Sequence, residues 1–318
     1  MTQLHNTNDK KLITNRMGRQ YWIWANDKLY EQRLARENGP YQARNLVMCR
    51  KCYPAARTII DVGVNIGMNA IEYATWAKKI IGFEPMKGSL ELAKLNIDIA
   101  KKAKLKGRYW NSRKQEIEHQ PEHPDGWFKN VNGSFASLDL VGEIELHNIA
   151  LGNKEGHILM EEKTNECSRG DAVLMEGRIT QNPTQEIEMK LLDSYKFDEV
   201  DIIKIDVEGS ELWVLQGAEK TIKKHQPMVQ VELRESHCKK FNYKPNEIID
   251  FMMRQGDYVM SDFNGNDLGQ EYEKLSGVMD RFFIPRKIYN GLLIKSKVHP
   301  GMKKKKKTTF SSLFAETN

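Results

Sequence analysis

The hydrophobic pattern of the chain is most informative between Thr58 and Ala77. The run Thr58–Val62 is rich in β-branched residues, which predicts a buried strand. It breaks at Gly63 and Gly67, where the backbone can turn sharply. Beyond the turn, apolar residues recur with helical spacing. The stretch therefore predicts a strand, a tight glycine turn and a helix whose first amide groups face any ligand at the turn.

A second short strand follows and ends in an acidic residue. Ile80–Phe83 is an apolar run, and Glu84 comes directly after it. A carboxylate at the end of the second strand of such a unit is placed to accept hydrogen bonds from a ribose diol. A dinucleotide fingerprint would need glycines where this chain has Asn65 and Met68. The pattern therefore favours a nucleoside ligand without a pyrophosphate and disfavours a nicotinamide dehydrogenase.

Two later apolar runs also end in carboxylates. Val200–Ile205 predicts a central parallel strand followed by Asp206 and Glu208, and Pro227–Val231 predicts the next strand, followed by Glu232. Open α/β sheets bind ligands beside the carboxyl ends of their strands. These acidic residues are therefore predicted to lie at the same edge of the sheet as the glycine turn.

Three other segments differ in character. Residues 1–56 are interpreted as an N-terminal helical extension, because the aromatic and apolar residues from Arg19 to Tyr53 fit two helices that cover the sheet or form a pocket rim. Residues 101–142 form a long insertion, interpreted either as a lid over a substrate or as a surface insertion with its own small cluster. Residues 291–318 are predicted to be a basic, disordered tail.

The composition limits the partners and the compartment. The 318 residues carry a formal net charge of +6, and Lys303–Lys307 supply five of those charges. The rest of the chain is close to neutral, which gives little support for a nucleic-acid surface on the body of the fold. Four scattered cysteines fit a reducing compartment better than a disulfide framework. No apolar run approaches membrane length, so we expect a soluble, cytoplasmic protein without membrane contacts.

The glycine turn and the second acidic strand end carry a family resemblance. The matching segments are Ile60–Gly67, Phe83–Pro85, Asp201–Glu211 and Val214–Ala218. They resemble the FkbM family of S-adenosylmethionine-dependent methyltransferases over about residues 57–285. The second motif is the more specific, because many methyltransferases share the first. The chain departs from the family pattern at Val64, where alanine is common, and in the length of the 101–142 insertion.

The resemblance implies a fold and a domain organisation. The expected fold is a Rossmann-like class I methyltransferase fold, with a mostly parallel seven-stranded sheet and helices on both faces. The methyltransferase domain is expected at residues 57–290, with the 101–142 insertion inside it. Because that insertion is unusually long, the resemblance does not determine the acceptor pocket.

The resemblance also implies S-adenosylmethionine as the cofactor. The turn is expected to hold its methionine part, with Asp61 anchoring the amino group and Glu84 binding the ribose hydroxyls. A third predicted strand, Glu143–Ala150, ends where the adenine is expected. The expected cofactor-binding residues are Asp61, Gly63, Asn65, Gly67, Glu84, Asn148 and Ala150.

Transfer of a methyl group to a hydroxyl requires a group that accepts the proton as the new bond forms. Asp206 is the first choice for this base and Glu208 the second. A structural alternative is that Asp206 caps the start of a helix. A further alternative places a Mg²⁺ ion between Asp206 and Glu232, where it would lower the pKa of the acceptor hydroxyl.

The leading prediction is O-methylation of a hydroxyl on a small-molecule or carbohydrate acceptor. Two alternatives stay open. The lysine runs at 101–108 and 303–307 favour methylation of RNA or another nucleic acid. The other alternative is a protein that binds S-adenosylmethionine without turnover and docks a partner on the 101–142 insertion. Neither the acceptor nor the oligomeric state follows from these patterns.

Overall fold

The computed structural model describes residues 9–15, 19–36, 41–103, 108–111, 116–119, 135–137, 139–161, 173–174, 184–269 and 279–297. In chain order, the strands are β1 (Lys10–Thr14), β2 (Gln20–Trp24), β3 (Thr58–Val62), β4 (Lys79–Phe83), β5 (Arg108–Asn111), β6 (Glu116–His119), β7 (Phe135–Ser137), β8 (Glu143–His147), β9 (Ala150–Leu151), β10 (Gly156–Glu161), β11 (Val173–Leu174), β12 (Thr184–Lys190), β13 (Ile202–Ile205), β14 (Met228–Leu233), β15 (Tyr258–Ser261) and β16 (Met279–Pro285). The helices are α1 (Lys28–Arg36), α2 (Ala43–Cys52), α3 (Met68–Tyr73), α4 (Lys87–Lys102), α5 (Glu211–Gln216), α6 (Glu219–His225), α7 (Glu235–Cys238), α8 (Pro245–Gln255) and α9 (Arg286–Lys297).

One seven-stranded sheet organises the structure. Its spatial order is β15–β16–β14–β13–β3–β4–β8. Neighbouring strands from β8 to β14 run parallel, and β16 runs antiparallel to both β14 and β15. The predicted α/β architecture, with its mostly parallel seven-stranded sheet, is therefore confirmed.

Helices cover both faces of this sheet. On one face, Leu215 of α5 and Ile248 of α8 belong to a buried cluster with Ile203. On the other face, Met48 of α2 belongs to a cluster with Ile202. Ile202 and Ile203 are neighbours in β13 and serve different clusters, because successive strand residues point to opposite faces. Burial on both faces explains the continuous burial of this strand.

The chain leaves the centre of the sheet in two directions. From β3 it runs outward through β4 to β8, and it later returns to β13, which pairs with the other side of β3. This change of direction leaves a crevice beside the carboxyl ends of β3 and β13. The glycine turn follows β3 and the acidic residues follow β13, so both predicted parts of the site meet at the crevice.

The N-terminal segment contains a β-hairpin where the sequence pattern predicts the start of a helix. Strands β1 and β2 pair antiparallel. Tyr21 and Ile23 are buried whereas Trp22 is partly exposed, so burial alternates with period two. Asn96 of α4 accepts a hydrogen bond from the amide of Trp22 at 2.6 Å and donates to its carbonyl at 3.0 Å. The helix prediction is wrong for β2, whereas α1 and α2 confirm two helices in this segment.

The 101–142 insertion contains a sheet of its own. Strands β5, β6 and β7 pair antiparallel in the order β6–β5–β7. The lid interpretation depends on the aromatic residues of the insertion, and two of them, Trp127 and Phe128, lie outside the described residues. Both interpretations of the insertion therefore stay predictions.

The C-terminal part is ordered further than the sequence predicts. Helix α9 extends to Lys297, and its residue Leu292 belongs to the buried cluster that includes α2. The prediction of a disordered tail is therefore wrong for residues 291–297, which belong to α9. The apolar contacts of Leu292 hold this helix against the rest of the fold. The lysine run Lys303–Lys307 lies outside the described residues. Within the described segments, none of the helices has the length and hydrophobicity to cross a lipid bilayer.

Replacing Gly63 by alanine is expected to destabilise the fold by about 3 kcal/mol. The φ of Gly63 is +82°, and an added Cβ would collide with the carbonyl oxygen of Asp206. Chemical denaturation measures the loss. The matched control is Gly291→Ala in α9, where an added Cβ meets no atom within 4 Å and helix propensity favours alanine. Equal stability of the Gly63→Ala variant and the wild type would contradict this close approach.

Candidate cofactor and active site

A cavity of about 520 Å³ opens at the carboxyl edge of the central sheet. This volume lies within the range of small-molecule sites. Distant parts of the chain contribute to its lining, among them Tyr30, Gly63, Glu84, Ala150, Asp206 and Glu232. The crevice beside the strand ends is therefore large enough for a nucleoside ligand.

The glycine turn adopts left-handed conformations at alternate positions. The φ angles are 82° at Gly63, 53° at Asn65 and 86° at Gly67. The amide of Gly63 donates to the carbonyl of Phe83 at 3.0 Å, which ties the turn to β4. Gly63 and Asn65 line the cavity. Gly67 lies against α4 instead, where an added Cβ would be 3.2 Å from Ala93, so its contribution is to packing.

Glu84 is a buried carboxylate at the wall of the cavity, only 5% exposed. Its Oε2 accepts a hydrogen bond from the amide of Asn65 at 2.8 Å, and its Oε1 accepts one from the amide of Met86 at 2.9 Å. Burial raises the pKa of Glu84 to about 7, although these two hydrogen bonds oppose the effect. Each carboxylate oxygen can accept a second hydrogen bond. The two backbone amides therefore orient the Glu84 carboxylate, which can still accept hydrogen bonds from a ligand.

Asn65 connects the turn to the N-terminal segment. Its Nδ2 donates to the hydroxyl of Tyr30 in α1 at 3.0 Å. Its Oδ1 is buried and has no hydrogen-bond partner among the described residues. An unsatisfied buried acceptor is costly, so a ligand that donates to this oxygen would stabilise the site. The amino group of a bound amino acid is one such donor.

Lys204 links the two strand ends at the cavity. Its Nζ donates to the carbonyl of Gly63 at 2.9 Å and lies 3.2 Å from Oδ1 of Asp61 and 3.7 Å from Oδ2 of Asp206. The side chains of Lys204 and Asp61 are 3% and 0% exposed. Burial alone would lower the pKa of Lys204, but the two carboxylates raise it above its ordinary value. The lysine therefore remains charged between them.

The two carboxylates beside Lys204 differ in their access to the cavity. Asp206 lines the cavity, whereas Asp61 lies beneath the turn. Burial raises the pKa of both, and the ammonium group of Lys204 opposes the shift. The pKa of Asp206 reaches about 7, also because Glu232 and Glu208 are close. Its side chain is 28% exposed, so water in the cavity moderates this effect.

Lys204 was not predicted as a site residue. The available signal is a single lysine inside the buried run Ile202–Ile205. A lysine at such a position needs a carboxylate partner, because an unpaired buried ammonium is costly. The strand register supplies that partner, since Lys204 lies directly opposite Asp61 in β3.

The residues predicted to face the adenine divide into two groups. Asn148 donates from Nδ2 to the carbonyls of Glu84 and Pro85 at 2.9 and 2.7 Å, so its side chain holds the segment after β4. Ala150 lines the cavity, as does Met160 of β10, and both belong to one apolar cluster. The cavity is therefore apolar on the side where the adenine is expected.

The N-terminal segment forms one wall of the cavity. Tyr30 and Arg33 of α1 line it together with Tyr41 and Gln42. Arg33 donates from Nη1 to the Tyr41 hydroxyl at 3.1 Å, and the Oε1 of Gln42 accepts from Nδ2 of Asn69 at 3.0 Å. The N-terminal segment was predicted either to cover the sheet or to form a pocket rim. These four residues lie at the pocket rim.

The cavity has an acidic part at the ends of β13 and β14. Asp206, Glu208 and Glu232 line it together with Arg234. Next to them lies His237, 3.3 Å from Glu232, which the sequence did not place at this site. Among the described residues, no group of three or more His, Cys, Asp or Glu side chains is arranged to hold a metal ion. A Mg²⁺ ion at Asp206 and Glu232 stays a prediction.

Three solved structures are similar to this chain at low identity. A methyltransferase FkbM from Methylobacillus flagellatus KT is 15% identical, with 72% of this chain and 44% of that chain covered and a TM-score of 0.38, so the match spans less than half of that protein. An O-methyltransferase from Bacillus cereus in complex with SAH is 10% identical, with coverages of 80% and 84% and a TM-score of 0.36. The small RNA methyltransferase HEN1 is 12% identical, with coverages of 82% and 27% and a TM-score of 0.38. At these TM-scores the similarities carry no argument about activity or substrate.

The sequence itself matches a known family. No curated protein matches the chain. A family model described as the methyltransferase FkbM domain matches residues 61–260, which is more than half of the 318 residues. The matched range contains the glycine turn, Glu84, Lys204 and the acidic strand ends. The chain therefore belongs to the FkbM methyltransferase family.

Proposed function

We propose that this protein transfers a methyl group from S-adenosylmethionine to a hydroxyl of a small-molecule or carbohydrate acceptor. One observation carries the proposal. The buried carboxylate of Glu84, held beside the Gly63–Asn65 turn, lines the same cavity as Asp206. The first group suits a ribose diol, and the second suits a hydroxyl that must lose a proton.

The residues present fit the proposed cofactor. Glu84 has acceptor capacity for the ribose hydroxyls, and the unsatisfied Oδ1 of Asn65 fits the amino group of the methionine part. Ala150 and Met160 supply apolar contacts for the base. Asp61 is proposed to act on the cofactor through Lys204, which fixes the carbonyl of Gly63. When bound, S-adenosylmethionine supplies a methyl group on a positively charged sulfur.

Asp206 is the proposed proton acceptor. A neutral hydroxyl is a weak nucleophile, so Asp206 takes its proton as the bond from oxygen to the methyl carbon forms and the bond from sulfur to carbon breaks. The broken bond leaves its electron pair on sulfur. A general base works best with a pKa near the working pH, and burial places the pKa of Asp206 at about 7. Lys204 stays close enough to stabilise the ionised form before transfer.

Replacing Glu84 by glutamine is expected to weaken binding of S-adenosylhomocysteine by about ten-fold or more. Both Glu84 oxygens accept backbone hydrogen bonds, and a glutamine amide group would place a donor against one of those amides. Isothermal titration calorimetry measures the affinity. The matched control is Glu91→Gln on the exposed surface of α4, for which we expect wild-type affinity. Unchanged affinity of the Glu84→Gln variant would count against the ribose contact.

Replacing Asp206 by asparagine is expected to lower kcat by about 10²–10⁴ while affinity for the donor changes little. With the methyl donor at saturating concentration, kcat/KM of the wild type for the acceptor is expected to rise between about pH 6 and about pH 8, because Asp206 accepts a proton only when ionised. Its raised pKa, about 7, sets this range. The rising limb is expected to disappear in Asp206→Asn.

Release of S-adenosylhomocysteine, followed over a panel of hydroxylated acceptors, measures these rates. The exposed Asp198→Asn variant is the control and is expected to keep both the rate and the pH profile. A pH profile that is identical in Asp206→Asn and wild type would exclude Asp206 as the base. No release of product with any acceptor would contradict the proposed function.

A further inference from the structure

Asn69 contributes to the cavity wall a side chain that is satisfied at only one of its two polar atoms. It is the second residue of α3, lines the cavity and is 7% exposed. Its Nδ2 donates to Oε1 of Gln42 at 3.0 Å. Its Oδ1 is buried and has no hydrogen-bond partner among the described residues. Such a group destabilises the free protein, and a ligand that donates to it restores the missing hydrogen bond.

Asn65, in the glycine turn before α3, has the same arrangement. Its Nδ2 donates to the hydroxyl of Tyr30 at 3.0 Å, and its buried Oδ1 has no partner within the described segments. In both asparagines the N-terminal segment accepts from the amide nitrogen, through Tyr30 and Gln42, and the amide oxygen is left as an acceptor. Two such acceptors on neighbouring parts of one cavity wall favour a ligand group with several donors on one atom.

The position of Gln42 is fixed by the fold. Gln42 precedes α2 with a φ of 52°, a conformation that persists in a residue with a side chain only where its surroundings enforce it. Its carbonyl accepts the amides of Asn45 and Leu46 at 2.9 and 3.2 Å. Nδ2 of Asn45 donates to Oδ2 of Asp280 in β16 at 2.6 Å, which ties the start of α2 to the central sheet. The sheet therefore holds, through α2, the group that orients the Asn69 amide.

A primary ammonium group matches this pair of acceptors. It carries three donors and no acceptor, and hydrogen bonds to a charged donor are stronger than those between neutral groups. A carboxylate would be repelled by two unsatisfied oxygens, because it brings acceptors only. In the proposed methyl donor, the amino group of the methionine part has the required chemistry.

We propose that Asn69 and Asn65 form an amino-acid subsite: their side-chain oxygens accept hydrogen bonds from the amino group of the methyl donor, while Gln42 and Tyr30 hold the two amides in that orientation. This inference rests on the proposed methyl transfer and adds a second acceptor, from α3, to the contact with Asn65. The subsite selects nucleosides that carry an amino acid over nucleosides that do not.

Two ligands isolate the contribution of the amino group. They are S-adenosylhomocysteine and its deaminated analogue, in which a hydrogen atom replaces the amino group, and calorimetry on the full-length protein measures both affinities. We expect the wild type to bind the analogue about ten-fold or more weakly. We expect Asn69→Leu to weaken binding of S-adenosylhomocysteine about ten-fold and to bind the analogue within about two-fold of wild type. Equal losses for the two ligands, or wild-type affinity for both, would overturn the proposal.

The stability of Asn69→Leu separates ligand binding from packing. Leucine has the same branched shape as asparagine and removes the unsatisfied acceptor, so we expect the midpoint of chemical denaturation to stay at or above that of wild type. The matched control is Asn246→Leu, an exposed asparagine at the second position of α8, with no expected change in affinity. A variant that loses stability but keeps its affinity for S-adenosylhomocysteine would overturn the proposal.

Asn69→Asp tests whether an acceptor is required at this position. The aspartate keeps an oxygen at the place of Oδ1, and the amide of Gln42 can rotate to donate to the other oxygen. We therefore expect affinity for S-adenosylhomocysteine at least equal to that of wild type. Weaker binding by about ten-fold would show that the ligand needs a donor here, and would overturn the proposal.

Gln42→Asn tests the orienting role of the N-terminal segment. Asparagine tolerates the positive φ, but its side chain is one carbon shorter and loses the contact with Asn69. We expect weaker binding of S-adenosylhomocysteine, by up to about ten-fold, and no further loss when Asn69→Leu is added. Additive losses would overturn this role. Wild-type binding with unaffected Asn69 variants would refute this inference alone, whereas absence of binding to the wild type would refute the proposed function as well.

Discussion

The buried ammonium group of Lys204 is the interaction on which the site depends. It joins the end of β13 to the turn after β3, through the carbonyl of Gly63 and the carboxylates of Asp61 and Asp206. Removing one partner from a buried set of charges leaves another uncompensated, which costs several kcal/mol. The position of the turn and the ionisation of Asp206 therefore depend on the same lysine. The close approach that requires glycine at position 63 belongs to the same arrangement. A change in any of them alters the cavity floor.

The walls of the cavity come from parts of the chain with different relations to the family. The matched range, 61–260, supplies the floor and the acidic part. Tyr30, Arg33, Tyr41 and Gln42 precede that range and form one wall. The hydrogen bond from Asn65 to Tyr30 connects this wall to the glycine turn.

The carboxylates of the acidic part are chemically distinct because their neighbours differ. Burial and nearby negative charges raise the pKa of Asp206, whereas His237 and Arg234 lower that of Glu232. Groups of one type with opposite shifts in one site are typical of a division between proton transfer and orientation. The two strands that carry these residues are parallel neighbours. The sheet therefore brings Asp206 and Glu232 together, and their different neighbours give the two carboxyl groups opposite pKa shifts.

The sequence alone determined the strand, glycine turn and helix at Thr58–Tyr73, the carboxylates after the apolar runs and the family, because these follow from local hydrophobic period and motif order. Only the tertiary structure decided the role of Lys204, the position of His237 and the hairpin at Gln20–Trp24. Their neighbours are distant in sequence: Lys204 meets Asp61 through strand register, and Trp22 is fixed by Asn96 of α4. Local patterns contain no information about such partners, since burial and pairing across the sheet are properties of the folded chain.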